Sequence, residues 1–424
     1  MEHKILSRYP LGNPRRVWRQ DKFILSTFSL RAGDPRQAVR LLKEAGFNLV
    51  ELGWAPHEEA EAALRAAEEL DIDLLYQDFS AFGGMQENHM ERGVPAAVMK
   101  QLGDHLRPWR RCIGTYVWDE PYGEDQLREA RRQADLIRHE LPERLHFTVA
   151  IPSYNLKYTW QNGQFPDYLE QYVRIIDPPV LSLDYYPIGM PGVYTDEKQL
   201  DDSLLWCDLG LMRKLGRQYD LPIWFYYQAV DLHKYGTFHA AMVRCMMYAA
   251  CLYGAKGLQQ YTSAGSVLGE NGGKGPLFEA QKQLHREFAA LGGTLMALES
   301  EFVFHSTDLL PGCPYMEGLA DDITGSELFA APLPSRTSVA ELHDAYGDRY
   351  VMVLNRDYEK PARLSLPLKD FYRLYAVDRE TGEQHMTENA ADVLRCFLAP
   401  GDAVLLRVQR SAEEPFTLEY RLEK

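Results

Sequence analysis

Two adjacent carboxylates follow an apolar run in the stretch CIGTYVWDEPYGEDQ, residues 112–126. Carboxyl groups can donate and accept protons, so Asp119 and Glu120, beside Trp118, could carry acid–base chemistry. The competing interpretation is structural: Asp119 begins a turn and Glu120 with Pro121 opens a helix, whose first turn favours acidic residues. Because adjacent strand residues point to opposite faces, Asp119 and Glu120 are not expected to form a reacting pair unless the strand end is bulged.

The elements around this stretch alternate short apolar runs with amphipathic helical patterns, eight times in succession. FILSTFS (23–29) predicts the first strand, and PRQAVRLLKEAG (35–46) predicts a helix with proline near its start and glycine at its end. The predicted strands are apolar on both faces, as parallel strands covered by helices are. This count and size predict an α/β fold, a (β/α)8 TIM barrel, which typically has about 250 residues.

The alternation of predicted strands and helices ends after Glu299, where strands such as RYVMVLNRD and VLRCFLAPGDAVLLRV follow one another without a long helix. We interpret this part as a smaller C-terminal antiparallel β-sandwich. The expected organisation is a catalytic barrel over residues 1–299 and the β-sandwich domain over residues 300–424. All seven tryptophans precede the second domain, so the chemistry is expected in the barrel.

Active sites of TIM-barrel enzymes lie at the C-terminal ends of the strands. The residues predicted there are Glu51, Trp54, Gln77, Asp78, Trp118, Asp119, Glu120, Tyr154, Asn155, Asp184, Tyr185, Tyr186, Gln228, Gln259, Gln260 and Tyr261. They are carboxylates, amides and aromatic rings, with almost no histidine, lysine or cysteine. Sugar hydroxyls need such donors and acceptors, and the apolar face of a pyranose stacks on an aromatic ring. The rim therefore predicts a carbohydrate site.

The arrangement resembles the clan of (β/α)8 glycoside hydrolases whose acid/base glutamate ends strand four. The clan's usual motif is Asn-Glu-Pro, and this chain has Asp119-Glu120-Pro121 in its place. DYYP (184–187) and GAKGLQQYT (254–262) resemble strands six and eight of such barrels. VLNRD (353–357) and LAPGDAVLLRV (398–408) resemble the terminal β domain that many of them carry. The resemblance covers nearly the whole chain and identifies no specific family within the clan.

This resemblance implies that Glu120 is the general acid, with a pKa raised by its place beside Trp118 in a partly closed mouth. The clan's nucleophile is a glutamate at the end of strand seven, where this chain has Gln228, and glutamine cannot be a nucleophile. Asp184 is therefore expected to be the base or nucleophile, unless it only caps a turn before Tyr-Tyr-Pro. Asp78, Asp231 and Glu51 are held in reserve for this role.

The expected function is cleavage of O-glycosidic bonds in a small oligosaccharide or glycoside, without a cofactor and without a metal. The residues expected to bind the sugar are Trp54, Asp78, Trp118, Asp119, Tyr186, Gln228, Gln260 and Tyr261. Two other classes remain open. One is a metal-dependent sugar isomerase or epimerase, because AVRLLKEAGFNLVELGW resembles the second unit of such barrels and a hard cation can be held by oxygen ligands alone. The other is a barrel that binds carbohydrate without cutting it, which Gln228 suggests.

The composition limits the kinds of partner that the protein is expected to bind. A net charge of −15 argues against nucleic acid and against an anionic membrane surface. No secretory segment and no membrane span are recognised, and the six scattered cysteines are interpreted as reduced core residues. We therefore expect a cytoplasmic enzyme whose partner is a small carbohydrate, with a β domain that could take part in forming a homo-oligomer.

Overall fold

The computed structural model describes residues 17–30, 33–53, 55–77, 94–155, 165–188, 203–232, 238–309 and 322–411. Two of the predicted sugar-binding residues, Trp54 and Asp78, lie outside the described residues.

Eight strands and eight helices alternate in the first part of the described chain. The strands are β1 (Ile24–Phe28), β2 (Leu49–Glu51), β3 (Asp73–Tyr76), β4 (Cys112–Asp119), β5 (Leu145–Val149), β6 (Leu181–Tyr185), β7 (Ile223–Gln228) and β8 (Gly257–Tyr261). The helices are α1 (Pro35–Glu44), α2 (His57–Leu70), α3 (Ala96–Leu106), α4 (Glu124–Glu140), α5 (Phe165–Ile176), α6 (Leu205–Gln218), α7 (Ala240–Leu252) and α8 (Phe278–Ala297). One helix follows each strand, as the alternating pattern predicts.

The first helix shows how local sequence sets these bounds. The Asp34 side chain accepts a hydrogen bond from the backbone N–H of Arg36 at 3.1 Å, and Pro35 occupies the first helical position. Gly46 follows the helix with a φ of 90°, a left-handed conformation that costs glycine little and turns the chain towards β2.

The eight strands pair in parallel in the order β5-β4-β3-β2-β1-β8-β7-β6. A parallel bridge between Ala150, just after β5, and Leu183 in β6 closes the ring. Side chains alternate between the barrel interior and the helix layer, so the strands are buried on both faces. The predicted TIM barrel is confirmed.

Residues that precede β1 close the N-terminal end of the barrel. The Trp224 ring lies inside, with the Trp18 ring edge-on to it at a centroid distance of 6.0 Å. Trp224 Nε1 donates to Gln20 Oε1 at 2.9 Å, and Gln20 Nε2 donates to the Lys256 carbonyl at 2.6 Å. Trp224 is thus a packing residue inside the barrel.

Six further strands follow the barrel: β9 (Glu299–His305), β10 (Thr337–His343), β11 (Arg349–Asn355), β12 (Ala362–Val377), β13 (Gln384–Leu398) and β14 (Ala403–Arg410). They form one antiparallel sheet in the order β13-β12-β14-β11-β10-β9. Strands at both edges of the sheet bury side chains in a single cluster, which includes Phe304 of β9 and Leu394 of β13. The predicted smaller antiparallel β domain is confirmed.

The sheet and the barrel share a hydrophobic core. Val303, Met352 and Leu405 of the sheet belong to the same buried cluster as Met246 of α7. Polar contacts reinforce this junction: the Tyr253 hydroxyl and His305 Nε2 lie 2.7 Å apart. The β domain is therefore packed against the helix layer and is not tethered by a linker alone.

One expectation about the cysteines is wrong. Cys207 in α6 is disulfide-bonded, although all six cysteines were expected to be reduced. Cys112, Cys245, Cys251 and Cys396 are free. Since structural disulfides persist mainly in oxidising compartments, the cysteines no longer support a cytoplasmic location. Within the described ranges, no helix has the length and apolar character needed to cross a membrane.

Candidate active site

A cavity of about 180 Å³ lies at the C-terminal ends of the barrel strands. Its lining residues are Phe28, Tyr116, Asp119, Glu120, Val149, Asp184, Tyr186, Tyr226 and Tyr261. They come from β1, β4, β5, β6, β7 and β8 or directly follow these strands. The cavity therefore occupies the position in which barrel enzymes bind their substrates.

A bulge in β4 decides which side chains reach the cavity. The pairing of β4 with β5 shifts register between Tyr116 and Trp118, so that one extra residue, Val117, is accommodated. Val117 and Trp118 are both buried outside the cavity, whereas Tyr116 and Asp119 both line it. An unbulged strand would alternate strictly and could not place residues three apart on the same face.

The residue after β4 has an unusual backbone. Glu120 has a φ of 47°, a left-handed conformation that is costly for a residue with a Cβ atom. Its N–H still donates to the Val149 carbonyl at 3.2 Å, which continues the pairing of β4 with β5. This turn directs the Glu120 side chain into the cavity beside Asp119. The condition under which the two acids could act together, a bulged strand end, is thus met.

The carboxyl groups of Glu120 and Asp184 are hydrogen-bonded to each other. Burial raises the pKa of Glu120 well above its usual value, and the negative charges of Asp184 and Asp119 raise it further. Burial also raises the pKa of Asp184, to about 7, although hydrogen bonds from Glu120 and Tyr186 favour its ionised form. Glu120 therefore keeps its proton to a higher pH than an ordinary glutamate does, and Asp184 accepts its hydrogen bond.

The third carboxyl group in the cavity, that of Asp119, accepts a hydrogen bond from a tyrosine. The Tyr116 hydroxyl donates to Asp119 Oδ1 at 2.9 Å. Burial raises the pKa of Asp119 to about 6, while the hydrogen bond from Tyr116 lowers it. Asp119 is consequently the most readily ionised of the three acids in the cavity.

Aromatic rings form one wall of the cavity. The rings of Tyr186 and Tyr261 stack with centroids 4.5 Å apart and planes inclined by 28°. Phe28 continues the stack beside Tyr261 at 5.9 Å and 22°. Flat apolar faces of this kind pack well against the C–H face of a sugar ring.

A second polar group lies deeper in the barrel, below the cavity. Glu51 is fully buried and accepts hydrogen bonds from Ser26 Oγ at 2.6 Å and from Gln259 Nε2 at 2.8 Å. The hydroxyl of Tyr226, which lines the cavity, donates to the other Glu51 oxygen. Burial raises the pKa of Glu51, and these hydrogen bonds oppose the rise. Glu51, a reserve candidate for the second reacting acid, supports the cavity from beneath and does not line it.

The prediction that Trp118 stacks on a sugar is not supported. Its side chain is only 2% exposed and packs in the cluster that contains Leu127 and Ala130 of α4. The bulge turns the ring towards the helix layer and away from the cavity. The indole next to the carboxylates is thus a core residue.

The two predicted amide ligands also have structural roles. Gln228 is fully buried and bonds to backbone atoms only: it accepts from Ile188 N at 2.8 Å and donates to the carbonyls of Ile188 at 2.8 Å and Val230 at 3.0 Å. Gln260 donates to the Thr262 carbonyl at 3.0 Å, and its oxygen lies near the Tyr227 hydroxyl. Neither side chain lines the cavity, because their amide groups are used to fasten the loops after β6, β7 and β8.

Of the predicted site residues, the structure brings Glu120, Asp184, Asp119, Tyr186 and Tyr261 together around one cavity. The sequence analysis missed Phe28, Tyr116 and Tyr226. A signal for Tyr226 was present, since it lies two residues before Gln228 and strand residues two apart share a face. Tyr116 could not be recognised, because its position depends on the bulge.

In the described part of the chain, no group of three or more His, Cys, Asp or Glu side chains is arranged to hold a metal ion.

Neither a protein-family model nor a curated protein matches this chain. Several solved structures do match this chain. One, described as a glycoside hydrolase, aligns with a TM-score of 0.53 and 12% identity over 92% of each chain. Another, described as a glycoside hydrolase family 5 protein from Bacteroides vulgatus, aligns with a TM-score of 0.54 and 12% identity over 92% of this chain and 89% of that one. At this identity the likeness shows that the chains share a fold.

Proposed function

We propose that this chain is a glycoside hydrolase whose reacting groups are the carboxyls of Glu120 and Asp184. The observation that carries the proposal is their hydrogen bond within the cavity at the C-terminal ends of the strands. Hydrolysis of a glycoside requires one carboxyl that delivers a proton and a second that is ionised. The hydrogen-bonded pair supplies both, because the pKa of Glu120 is raised well above its usual value whereas that of Asp184 is raised to about 7.

The reaction follows from this arrangement. The glycosidic oxygen replaces Asp184 as the acceptor of the Glu120 hydrogen bond, and the proton moves to this oxygen as its bond to the anomeric carbon breaks. Ionised Asp184 then either attacks the anomeric carbon or takes a proton from the water that attacks it. Retaining enzymes separate their two carboxyls by about 5–5.5 Å and inverting enzymes by about 6.5–9.5 Å. Entry of the sugar must therefore part the hydrogen-bonded pair.

The remaining cavity residues have binding roles in this proposal. Asp119 accepts a hydrogen bond from a sugar hydroxyl, and its charge helps to keep the proton on Glu120. The stacked rings of Tyr186 and Tyr261 provide the apolar platform. The two solved structures described as glycoside hydrolases support the proposal, but a barrel fold hosts many chemistries, so the carboxyl pair carries more weight.

The rival hypotheses can be separated from this one. A carbohydrate-binding barrel without catalysis was suggested by Gln228, but Gln228 does not line the cavity, so its identity says little about the reacting groups. A metal-dependent isomerase would lose its activity in EDTA, whereas the proposed hydrolase would not. The small carbohydrate substrate, the cytoplasmic location and a homo-oligomer remain predictions.

Turnover of a broad panel of aryl glycosides and short oligosaccharides tests the proposal. Wild type, wild type with EDTA, Glu120→Gln and the control Glu143→Gln are assayed in parallel; Glu143 is exposed in the turn between α4 and β5. Loss of a general acid typically lowers the rate by about 10²–10⁴-fold. We expect that loss in Glu120→Gln alone and no effect of EDTA. Full activity in a folded Glu120→Gln variant would contradict the proposal.

A further inference from the structure

Two of the four tyrosines that line the cavity already donate their hydroxyl hydrogens to carboxyl groups. A phenol carries one O–H donor and additional acceptor capacity. The Tyr116 hydrogen is donated to Asp119 at 2.9 Å, and the Tyr226 hydrogen is donated to Glu51. These two hydroxyls can therefore offer only lone pairs to a molecule that enters the cavity.

Glu51 fixes the direction in which the Tyr226 hydroxyl donates its hydrogen. It is fully buried, and its oxygens receive hydrogen bonds from Ser26, Gln259 and Tyr226. If Tyr226 turned its hydrogen towards the cavity, a buried carboxylate oxygen would lose its donor, which is costly in a low-dielectric interior. Gln259 cannot compensate, because its own oxygen accepts from Ser182 Oγ at 2.8 Å and its amide nitrogen is already bonded to Glu51.

The carboxyl groups of the cavity add further acceptors. In the free protein Glu120 donates its proton to Asp184, and in the proposed reaction it donates this proton to the glycosidic oxygen. Asp184 lines the cavity and is 6% exposed, and its Oδ1 has no hydrogen-bond partner among the described residues. Buried polar atoms of this kind usually have a partner, so an unpartnered acceptor in a cavity points to a ligand that donates to it.

The cavity also lacks positive charge within the described ranges. Its lining includes three acids and no lysine, arginine or histidine. An anionic ligand would meet several acceptors, no donor from the two committed hydroxyls and no cation among the described lining residues. A ligand with hydroxyl or ammonium groups would satisfy the same acceptors.

We propose that this cavity is an acceptor-rich site, with no cation in its described lining, that selects sugar rings able to donate hydrogen bonds, binds an amino sugar more tightly than the neutral sugar of the same configuration, and rejects the corresponding uronate. The inference deepens the proposed function by naming its substrate class, and rests on it only in taking this cavity as the place where the sugar binds. It assigns Glu51 a positioning role that acts through Tyr226.

Saturation-transfer NMR tests this selectivity without turnover. The probes are matched sets of hexosamine, hexose and hexuronate in the gluco, galacto and manno configurations. In at least one configuration we expect the hexosamine and the hexose to bind, the hexosamine more tightly, and the hexuronate to bind about tenfold or more weakly than the hexose. A hexuronate that binds as well as its hexose, or failure of every hexose and hexosamine to bind, would overturn the inference.

Variants link the result to the cavity. Tyr226→Phe removes the acceptor but keeps the ring, and should weaken hexose binding several-fold; Tyr346→Phe, on an exposed tyrosine of the β domain, should not. Asp119→Asn removes one negative charge and should reduce the preference for hexosamine over hexose. An unchanged preference in Asp119→Asn would place amine recognition elsewhere and contradict the inference. Ligand binding with the expected order but no glycoside turnover would refute the hydrolase proposal alone.

Discussion

Glu120 after β4 and Asp184 in β6 are hydrogen-bonded across β5, the strand that lies between them in the barrel. Val149 of β5 lines the cavity between the two acids. Glu120 has a left-handed backbone and directly follows the bulged strand β4. The bulge and the turn in β4 thus create the acid pair, and the protonation of this pair can be tested.

Asparagine variants show whether Asp184 or Asp119 supplies the second reacting carboxyl group. We expect Asp184→Asn to lower kcat/KM by about 10²–10⁴-fold and Asp119→Asn to lower it less, because Asp119 binds the substrate in our proposal. Both negative charges raise the pKa of Glu120, so removal of either should lower this pKa. The alkaline limb of the kcat/KM profile should therefore move to lower pH in both variants.

The matched control for these variants is Asp125→Asn, on an exposed aspartate in the first turn of α4. It should leave the profile unchanged. If Asp119→Asn proves as damaging as Asp184→Asn, or more so, Asp119 is the second reacting group.

Tyr116→Phe probes the hydrogen bond to Asp119. This bond lowers the pKa of Asp119, so its removal should raise that pKa above about 6. Carboxyl ¹³C NMR of aspartate-labelled protein measures the titration directly. The phenylalanine ring should keep its contact with Phe147, whose centroid lies 5.1 Å away, so the protein should remain folded with a loss of about 1 kcal/mol. Tyr248→Phe, a buried tyrosine of α7, is the control; an Asp119 titration unmoved by Tyr116→Phe would refute this account.

Gln228→Glu should not create a nucleophile. Gln228 donates to two backbone carbonyls, and a glutamate would face both with a carboxyl group in a fully buried place. We expect the free energy of unfolding to fall by a few kcal/mol, with no gain in activity. Denaturant unfolding and the glycoside panel measure the two effects. Gln218→Glu, at the exposed end of α6, should change neither; a stable Gln228→Glu variant with higher turnover would show that position 228 does reach the substrate.

Asp208 should make stability depend on pH. It is fully buried in α6, where Oδ2 accepts from the Ser153 backbone N–H at 3.0 Å, and burial raises its pKa to about 8 from the ordinary value of 3.8. The folded state thus keeps a proton that the unfolded chain releases between about pH 4 and pH 8. The corresponding stability is present below this window and is lost as the pH rises through it.

Asp208→Asn removes this titration while it keeps an oxygen for the Ser153 N–H. The variant should therefore match wild type near pH 4 and exceed its stability near pH 8, by roughly a few kcal/mol. Denaturant unfolding at both pH values measures the difference. A difference in stability between the variant and wild type that stays constant across the window would contradict the raised pKa.

The fold was predictable because it depends on repetition. Eight apolar runs alternate with eight amphipathic segments, and a short run such as Leu49–Glu51 is recognised by its place in this series even though it has only three residues. The proximity of Glu120 and Asp184 could be predicted from the sequence, because both residues come at the ends of parallel strands, and these ends meet at one edge of a barrel.

The directions of individual side chains at the strand ends could not be predicted. Trp118 was assigned to the cavity by its position next to Asp119, and a single inserted residue, Val117, turned it towards α4. The left-handed backbone at position 120 could not be predicted either, because the residue there is a glutamate and not the glycine that usually marks this conformation. Gln228 and Gln260 are polar residues at strand ends like the true site residues, and only their hydrogen bonds to loop backbone reveal their different role.

The core shared by Val303, Met352 and Leu405 with the helices of the barrel has a consequence for protein engineering. A chain cut at residue 299 would leave the apolar outer surface of α7 open to water, and the severed sheet would lose the surface that covers its inner face. The two parts are therefore poor modules: a chimera that joins this barrel to a foreign domain must bring a sheet whose side chains fit the same cluster, or must redesign α7 as a solvent-facing helix.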